Sequence, residues 1–482
     1  MSTLQLTARQ TCTPVFPLTI FLDAPDLTLP EAQHLRQLSQ HALDDLNDFS
    51  AHHLRLIVKQ SQPHADADVP DSDSALTIKL NVIRAIDQPS ASISPHAAIL
   101  DVSYAPSMIP AISSTSSTLA TFIATRLQAM FAEEQAIVAH LLSISHANIL
   151  GSPSSKSVGT DFITAYERRK TRSFKYAQTY HLTFSLLVSA AAPSSWDIEA
   201  AMSATMTPLL SALSAISNFT IDTQVQPYAT LPPTVRPTYD DARAAWTLTH
   251  SDLASFINAA EWPLSPSIGA GPTINFVLYV PSPEQSPLVL DATNSSRSSG
   301  PSWLIPQWGA IHILNLEENH NHLPASSLHA PLLSFASHLL ALLALPTTPA
   351  SLPLQLSTLS RTHTLSLLLR ASGTLGSLAR LVHSLPSISI PDVVLLNTDA
   401  ALAALTATCT ALRQGRFGGA LDAARTAEAA AETAFFEPSM VGQVYFPDEH
   451  KVAVYLPLLG PVAVPLVLAA VQELRAWRAV RP

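Results

Sequence analysis

The chain has 482 residues, of which 26 Lys+Arg and 36 Asp+Glu make only 13% charged, about half the roughly 25% usual in soluble globular proteins. With 47% hydrophobic residues and a mean hydropathy of +0.23, it is too apolar for intrinsic disorder and long enough for a large core or two to three domains. A net charge of −10 argues against electrostatically driven nucleic-acid binding, and 13 glycines against 38 prolines argue against collagen-like or flexible-linker chains.

Residues 1–10 lack the apolar stretch of a secretory signal. The pattern predicts a strand over Val15–Leu22, a helix opened by Pro30 and running to Leu46, and a strand over Leu54–Lys59. A polar loop at Asp66–Asp73 leads to strands starting at Ala75 and Ala97, then to a helix over Thr118–Ser143. Turn formers at Gly151–Thr160 mark a boundary, and the basic run Arg168, Arg169, Lys170, Arg172, Lys175 reads as a solvated linker or membrane-proximal patch. The order then resumes. A strand starts at Tyr180, a helix capped by Ser194 or Ser195 runs from Trp196 to Ile216, and a strand starts at Phe219. The segments from Ile274 and Gly309 are near-continuous apolar runs, as expected in a sheet covered on both faces. Strand, loop, helix and strand thus occur twice, which suggests two related halves, although such units also arise in α/β domains without duplication.

From Pro331 the chain turns helical. The run Leu332–Leu345, bounded by Pro331 and Pro346, is too short to cross a bilayer and reads as a buried core helix. Leu368, Leu375, Leu378, Val382 and Leu385 keep helical spacing, and Ala-rich segments at Ala400–Leu412 and Ala420–Ala434 complete a hairpin or bundle. Between Lys451 and Glu473 no charge occurs, and Val452–Val471 supplies enough apolar residues for a transmembrane helix. Pro457, Pro461 and Pro465 fall on one face with Gly460 nearby, which predicts a bent span whose proline face meets another subunit. The alternative for this segment is a buried C-terminal helix. Arg475, Arg478 and Arg481 follow the span, so the positive-inside rule puts the tail in the cytoplasm and the large domain in the lumen or outside. Sequons at Asn218 and Asn294 agree with that placement. The expected organisation is an α/β domain, a mixed sheet flanked by helices, with halves at 11–150 and 176–330. A helical segment at 331–440, a transmembrane helix at 452–471 and a basic tail at 472–482 follow.

Catalytic chemistry finds little support. No G-x-S-x-G elbow and no phosphate-cradling glycine loop occur. Cys12 and Cys409 are too few for a disulfide framework and leave the redox compartment open. Cys409 lies in an Ala-rich helix as a small structural residue, and Cys12 has no local His partner. The densest polar cluster is Glu317, Glu318, Asn319, His320, Asn321 and His322, joined by His312. His320 and His322 have metal-ligand chemistry, but an exposed loop after a strand is the simpler account of them, and no metal site is expected. No cofactor is implied.

Three blocks carry a family resemblance: Ser194–Ala229 (SSWDIEAAM through SNFTIDTQVQPYA), Ile274–Leu290 with PQWGAIHILNL from Pro306, and the segment from Ala431. The last joins Phe435, Phe436, a Pro438 turn, the YFPD element at Tyr445–Asp448 and the proline-bearing span in one order. These segments resemble the phosphatidylinositol-glycan biosynthesis class S family, PIG-S, subunits of the GPI-anchor transamidase of the endoplasmic reticulum. The resemblance implies a non-catalytic, lumenal α/β subunit held by membrane spans at both ends, supporting attachment of preassembled GPI to the C-termini of precursor proteins. Its implied partners are the other transamidase subunits, including a caspase-like subunit whose cysteine attacks the precursor, and, indirectly, the GPI lipid and the precursor's C-terminus. Both sequons remain glycosylation candidates, and the resemblance favours Asn218 over Asn294 because the family carries a sequon at that place. The family carries an N-terminal span, whereas no apolar anchor precedes the first strand here, and a further segment upstream of Met1 is the expectation that reconciles the two. Two alternatives remain at this point: a lumenal enzyme acting on lipid-linked glycan through His312, His320, His322 and Glu317, or a membrane-anchored binding protein.

Overall fold

The computed structural model describes residues 14–59, 74–83, 86–150, 160–229, 231, 235–249, 252, 271–290, 301–316, 321–385, 388–440 and 448–479. By its internal contacts the chain divides into two units: one comprises 18–68 and 74–363, the other 1–17, 69–73 and 364–482.

The larger unit holds two five-stranded sheets. The first is built from β1 (Phe16–Asp23), helix α1 (Leu29–Leu46), β2 (His52–Val58), β3 (Ser74–Val82), β4 (Ser90–Ile93) and β5 (Ile99–Tyr104), in the order β2-β1-β3-β5-β4. Helix α1 starts where Pro30 predicts, and the Glu31 carboxylate fixes its head by accepting the Thr28 N–H at 2.9 Å and the Thr28 hydroxyl at 2.6 Å. Strands β1, β3 and β5 pair in parallel, and β4 closes the edge antiparallel to β5. Two helices follow, α2 (Thr118–Leu150) and α3 (Thr160–Arg172). The basic run is therefore the end of a helix rather than a linker, because Phe162, Ile163 and Tyr166 give that polar segment one semi-buried face.

The second sheet comes from β6 (Thr179–Val188), β7 (Ser195–Trp196), α4 (Ile198–Leu213), β8 (Asn218–Pro227), β9 (Thr238–Asp240), β10 (Ala245–Leu248), β11 (Thr273–Val280), β12 (Leu288–Leu290), β13 (Ser302–Ile305), β14 (Gly309–Ile313) and β15 (His322–Leu323). Its order is β13-β14-β11-β6-β8, with β8, β6, β11 and β14 parallel and β13 antiparallel at the edge. The two sheets share one plan: strand, helix, outer strand, then two strands on the other side, the last preceded by an antiparallel edge strand. The repeat seen weakly in sequence is thus a repeat of topology. Strands β9, β10 and β12 form a small separate sheet, and β7 pairs with β15. That last pairing draws Ser195 into a strand, so helix α4 begins at Ile198 with Asp197 as its N-cap, not with Ser194 or Ser195.

The second sheet is apolar on both faces, as its continuous runs predicted. Leu182, Phe184, Leu186 and Val188 of β6 pack with α4 and with α5 (Ala325–Leu342) on one face; Val277, Tyr279, Ile311, Ile313 and Trp303 form the core on the other. Phe276 lies between Phe184 and Phe335, with ring centroids at 5.1 and 5.0 Å. Pro331 lies inside α5 rather than before it, since its burial against this core offsets the backbone hydrogen bond it removes. Gly309 has a φ of +154°, and a Cβ there would stand 1.8 Å from the Asn275 carbonyl oxygen, so only glycine lets β14 start against β11.

Helix α2 gathers the larger unit around two adjacent carboxylates. Glu134 takes a bidentate pair from Arg361 of α6 (Leu352–Ser384), Nε to Oε1 at 2.6 Å and Nη2 to Oε2 at 2.7 Å, and accepts the Thr358 hydroxyl at 2.7 Å. Nε2 of His52 lies 3.5 Å from Oε1, an electrostatic contact too long for a good hydrogen bond. Glu134, Arg361 and His52 are 3% exposed or less. Burial pushes the Glu134 carboxyl up, but the Arg361 charge and hydrogen bonds, with help from His52, outweigh it and hold the group far below the usual carboxylate range. Glu133 meets Arg169 of α3 at 2.6 Å and accepts the Thr348 backbone N–H at 3.2 Å.

In the smaller unit, α7 (Asp392–Arg413) and α8 (Phe417–Phe435) form the expected hairpin, with Ala401, Leu405, Ala411 and Leu412 of α7 and Ala420, Leu421, Ala424, Ala427 and Ala431 of α8 buried. Leu378, Val394, Ala434 and Met440 make a separate small core. Arg370 reaches Glu428 at 2.7 Å and Glu432 at 3.2 Å. Cys409 is disulfide-bonded, so its burial reflects a covalent role and not mere filling; Cys12, the chain's other cysteine, lies outside the described residues. Helix α9 (Asp448–Ala479) is the apolar C-terminal element, with Pro457, Pro461 and Pro465 inside it. Among the described residues three helices are long and apolar enough to cross a membrane, but α5 and α7 each bury one face within the protein, whereas none of the α9 segment Ala453–Arg478 is buried.

Replacing Glu134 by Gln leaves the Arg361 charge buried without its partner, so we expect a loss of about 3–5 kcal/mol, read as a large fall in Tm. The double replacement Glu134→Met with Arg361→Leu recovers most of that loss. A Glu134→Gln protein as stable as the parent refutes this assignment. Because the native carboxyl sits below its unfolded value, its contribution is complete above about pH 5 and declines as pH falls below about 4.3, so the variant shows a flatter acid limb.

Candidate functional site

Two regions carry the residues that the sequence singled out: the carboxyl edge of the second sheet and helix α9. In an open α/β sheet, ligands bind beyond the carboxyl ends of the strands, at the point where successive connections run to opposite sides. Here that point lies between β6 and β11, since β6 leads through α4 to β8 on one side and β11 leads to β14 on the other. The Ser189 hydroxyl bonds Tyr279 Oη at 2.6 Å across these two strand ends. Burial pushes the Tyr279 phenol up to about 12, with the Ser189 hydrogen bond opposing, so it stays neutral.

Beside that point, the loop after β6 and the loop after β14 come together through β7 and β15. His322 Nδ1 lies 2.9 Å from Ser195 Oγ, and its Nε2 lies 3.0 Å from Asp197 Oδ1. The order carboxylate, imidazole, hydroxyl is that of a nucleophilic triad, and it is not legible in the chain because 127 residues separate Ser195 from His322. The imidazole and carboxylate are, however, 48% and 50% exposed. In that solvent-like dielectric the carboxylate does little to activate the hydroxyl, and the three groups clasp the two short strands.

His312 is placed apart from His322. It points from β14 into the core under α5, 5% exposed, with its ring 6.1 Å from Phe335. Its Nδ1 has no hydrogen-bond partner among the described residues. Burial, with a smaller push from His338, lowers the imidazole to about 4. His338 is lowered by burial too, and its Nε2 is 3.2 Å from Ser302 Oγ. A polar cluster joining His312 to His322 therefore does not form. Glu317 and His320 lie outside the described residues, as do Asn294, Arg481 and residues 441–447, which include all of the YFPD element but Asp448. Among the described residues no group of three His, Cys, Asp or Glu could hold a metal ion.

Asn218 is exposed at the first position of β8, its backbone N–H held by the Gln178 carbonyl at 2.8 Å, and Thr220 of the same sequon hydrogen-bonds His181. On α9, Pro457, Pro461 and Pro465 recur every fourth residue, and a Cβ on Gly460 meets nothing within 4 Å. Tyr455 and Trp477, 55% and 60% exposed, stand about 33 Å apart along the helix axis, close to the hydrocarbon thickness that interfacial aromatics bracket. Arg475 and Arg478 are exposed at the far end.

A buried histidine lowered to about 4 binds its proton in the unfolded chain before it does so in the folded one. Stability therefore rises with pH between about 4 and 6.5, by up to about 1.4 kcal/mol per unit for this group. His312→Leu should keep its stability at pH 7 and flatten the unfolding curve over that window, leaving the slope from the remaining groups, His338 and Glu134 among them. An unchanged slope in thermal unfolding across pH 4–6.5 contradicts this.

Comparison with known proteins adds what geometry alone cannot. The chain is 32% identical over 342 residues to the GPI-anchor transamidase component PIGS of Homo sapiens, covering 65% of this chain and 61% of the relative. It is 33% identical over 320 residues to the GPI transamidase component PIG-S homolog of Schizosaccharomyces pombe, covering 63% of this chain and 55% of the relative. The aligned part is thus less than two thirds of either relative's length. A profile of the phosphatidylinositol-glycan biosynthesis class S protein family matches residues 2–480, so the chain belongs to that family.

Proposed function

We propose that this chain is a non-catalytic subunit of the endoplasmic-reticulum GPI-anchor transamidase, supporting attachment of preassembled GPI to the C-termini of precursor proteins. The observation that carries the reading is a C-terminal helix of bilayer length with no buried residue over Ala453–Arg478, in a chain whose relatives are named transamidase components. The catalytic cysteine belongs to another, caspase-like chain. Cys409 is tied up in a disulfide, and the hydroxyl of Ser195 sits in a solvated clasp.

The main domain faces the lumen and the tail faces the cytoplasm. The Arg475, Arg478 and Arg481 cluster supports that sense of insertion, and a disulfide at Cys409 suits an oxidising compartment. Asn218, exposed on an edge strand, carries N-linked glycan in preference to Asn294. The face with Pro457, Gly460, Pro461 and Pro465 packs against a span of another subunit, where small and helix-breaking residues allow close approach. The alternative of a lumenal enzyme acting on lipid-linked glycan loses support from the separation of buried His312 from exposed His322.

Solubilised in mild detergent, the full chain should co-purify with a cysteine-protease-like subunit; migration alone contradicts the proposal. Its Asn218 glycan should remain sensitive to endoglycosidase H, with Asn218→Gln abolishing the mobility shift. A resistant glycan would instead mark a surface-delivered binding protein.

A further inference from the structure

The hairpin of α7 and α8 ends in an apolar surface that its own core does not use. Val394 at the head of α7 is buried with Ala434 and Met440, which brings the start of α7 and the end of α8 to one end of the hairpin. Around that buried point, Val393, Leu395 and Leu396 are 48%, 52% and 70% exposed, and Phe436, its ring 5.0 Å from Phe435, is 63% exposed. Scattered exposed apolar residues need no explanation, but four large ones gathered at one helix-hairpin end do.

Chain connectivity says what lies near it. The backbone leaves this end at Met440 and enters α9 at Asp448, a stretch that reaches at most about 29 Å, and the uncharged part of α9 begins within a turn or two. With α9 as a span, this end of the hairpin is tethered within that reach of the bilayer surface from which α9 descends. Its flanking charges are Asp392, Asp399 and Glu437, and no Lys or Arg occurs between Arg380 and Arg413. Attraction to anionic lipid is thereby excluded as the cause, and insertion of apolar side chains at the boundary of headgroups and acyl chains is what remains.

We propose that Val393, Leu395, Leu396 and Phe436 form a membrane-contact surface that seats the helical unit on the bilayer beside its own span, in a zwitterionic lipid interface. This rests on α9 being a span, and the test separates the two.

The full chain is reconstituted in phosphatidylcholine nanodiscs with NBD attached at Leu396→Cys, at Thr406→Cys as an exposed control along α7, or at Leu458→Cys within α9. No reductant is used, so the disulfide of Cys409 stays closed, and the unsubstituted chain treated identically sets the background. With lipid doxyl-labelled near the headgroup, emission at position 396 should fall roughly two-fold while that at 406 stays unchanged, and replacing part of the lipid by phosphatidylserine should not strengthen the effect. Quenching at 458 by deeply labelled lipid with none at 396 overturns the contact surface while leaving the span intact; this holds whether the 396 label emits as in water or, blue-shifted, as under another protein. No quenching at 458 removes the span itself and the proposal with it.

Discussion

One buried ion pair organises the larger unit. In a chain with so few charges, Glu134 and Arg361 are spent deep inside, 227 residues apart, where each can exist only because the other does. Such a pair adds little net stability over a well-packed apolar substitute. What it adds is selectivity, because any arrangement that parts the two leaves a bare charge in low dielectric. Helix α2 is thereby fixed to α6, and with Glu133 holding Arg169 the same helix also fixes α3. Around this frame the central strands of the second sheet bury almost purely hydrocarbon faces.

The scarcity of surface charge looks different once the parts are separated. Much of the apolar excess is consumed by a sheet covered on both faces and by the alanine seam between α7 and α8. The rest is concentrated on α9, and a smaller share crowns the end of the helical hairpin. A protein with these two exposed apolar regions is matched to a partly non-aqueous surrounding, which fits its membership of a family of membrane-complex components.

Long, strongly periodic or continuous apolar segments were legible in the sequence: β1, β6, β11 and α1 lie within about a residue of their expected limits, and α9 contains the expected span but starts before it and runs on through the first arginines that follow it. Strands β4, β9, β10, β12 and β13 have only three or four residues each, too few for any period to register. Helix α3 was hidden by its own cations, although Phe162, Ile163 and Tyr166 carried its face. The candidate site fared worse for a physical reason. Glu134 with Arg361 and Ser195 with His322 are brought together only by tertiary folding, and a lone Glu-Glu pair in an apolar helix was the sole local sign of the first. His312 misled because residue type says nothing about which face of a buried strand a side chain occupies.

The second sheet ends on β8, a ten-residue strand with most side chains exposed and, among the described strands, no neighbour on its outer side. Such a margin offers a row of free amide and carbonyl groups to any extended peptide that drifts past, the usual route to unwanted edge-to-edge growth. Asn218 stands at the very head of this margin. A branched sugar there would act as a steric fence, keeping incoming strands from docking in register, so that a carbohydrate proposed as a marker of compartment would also guard the fold.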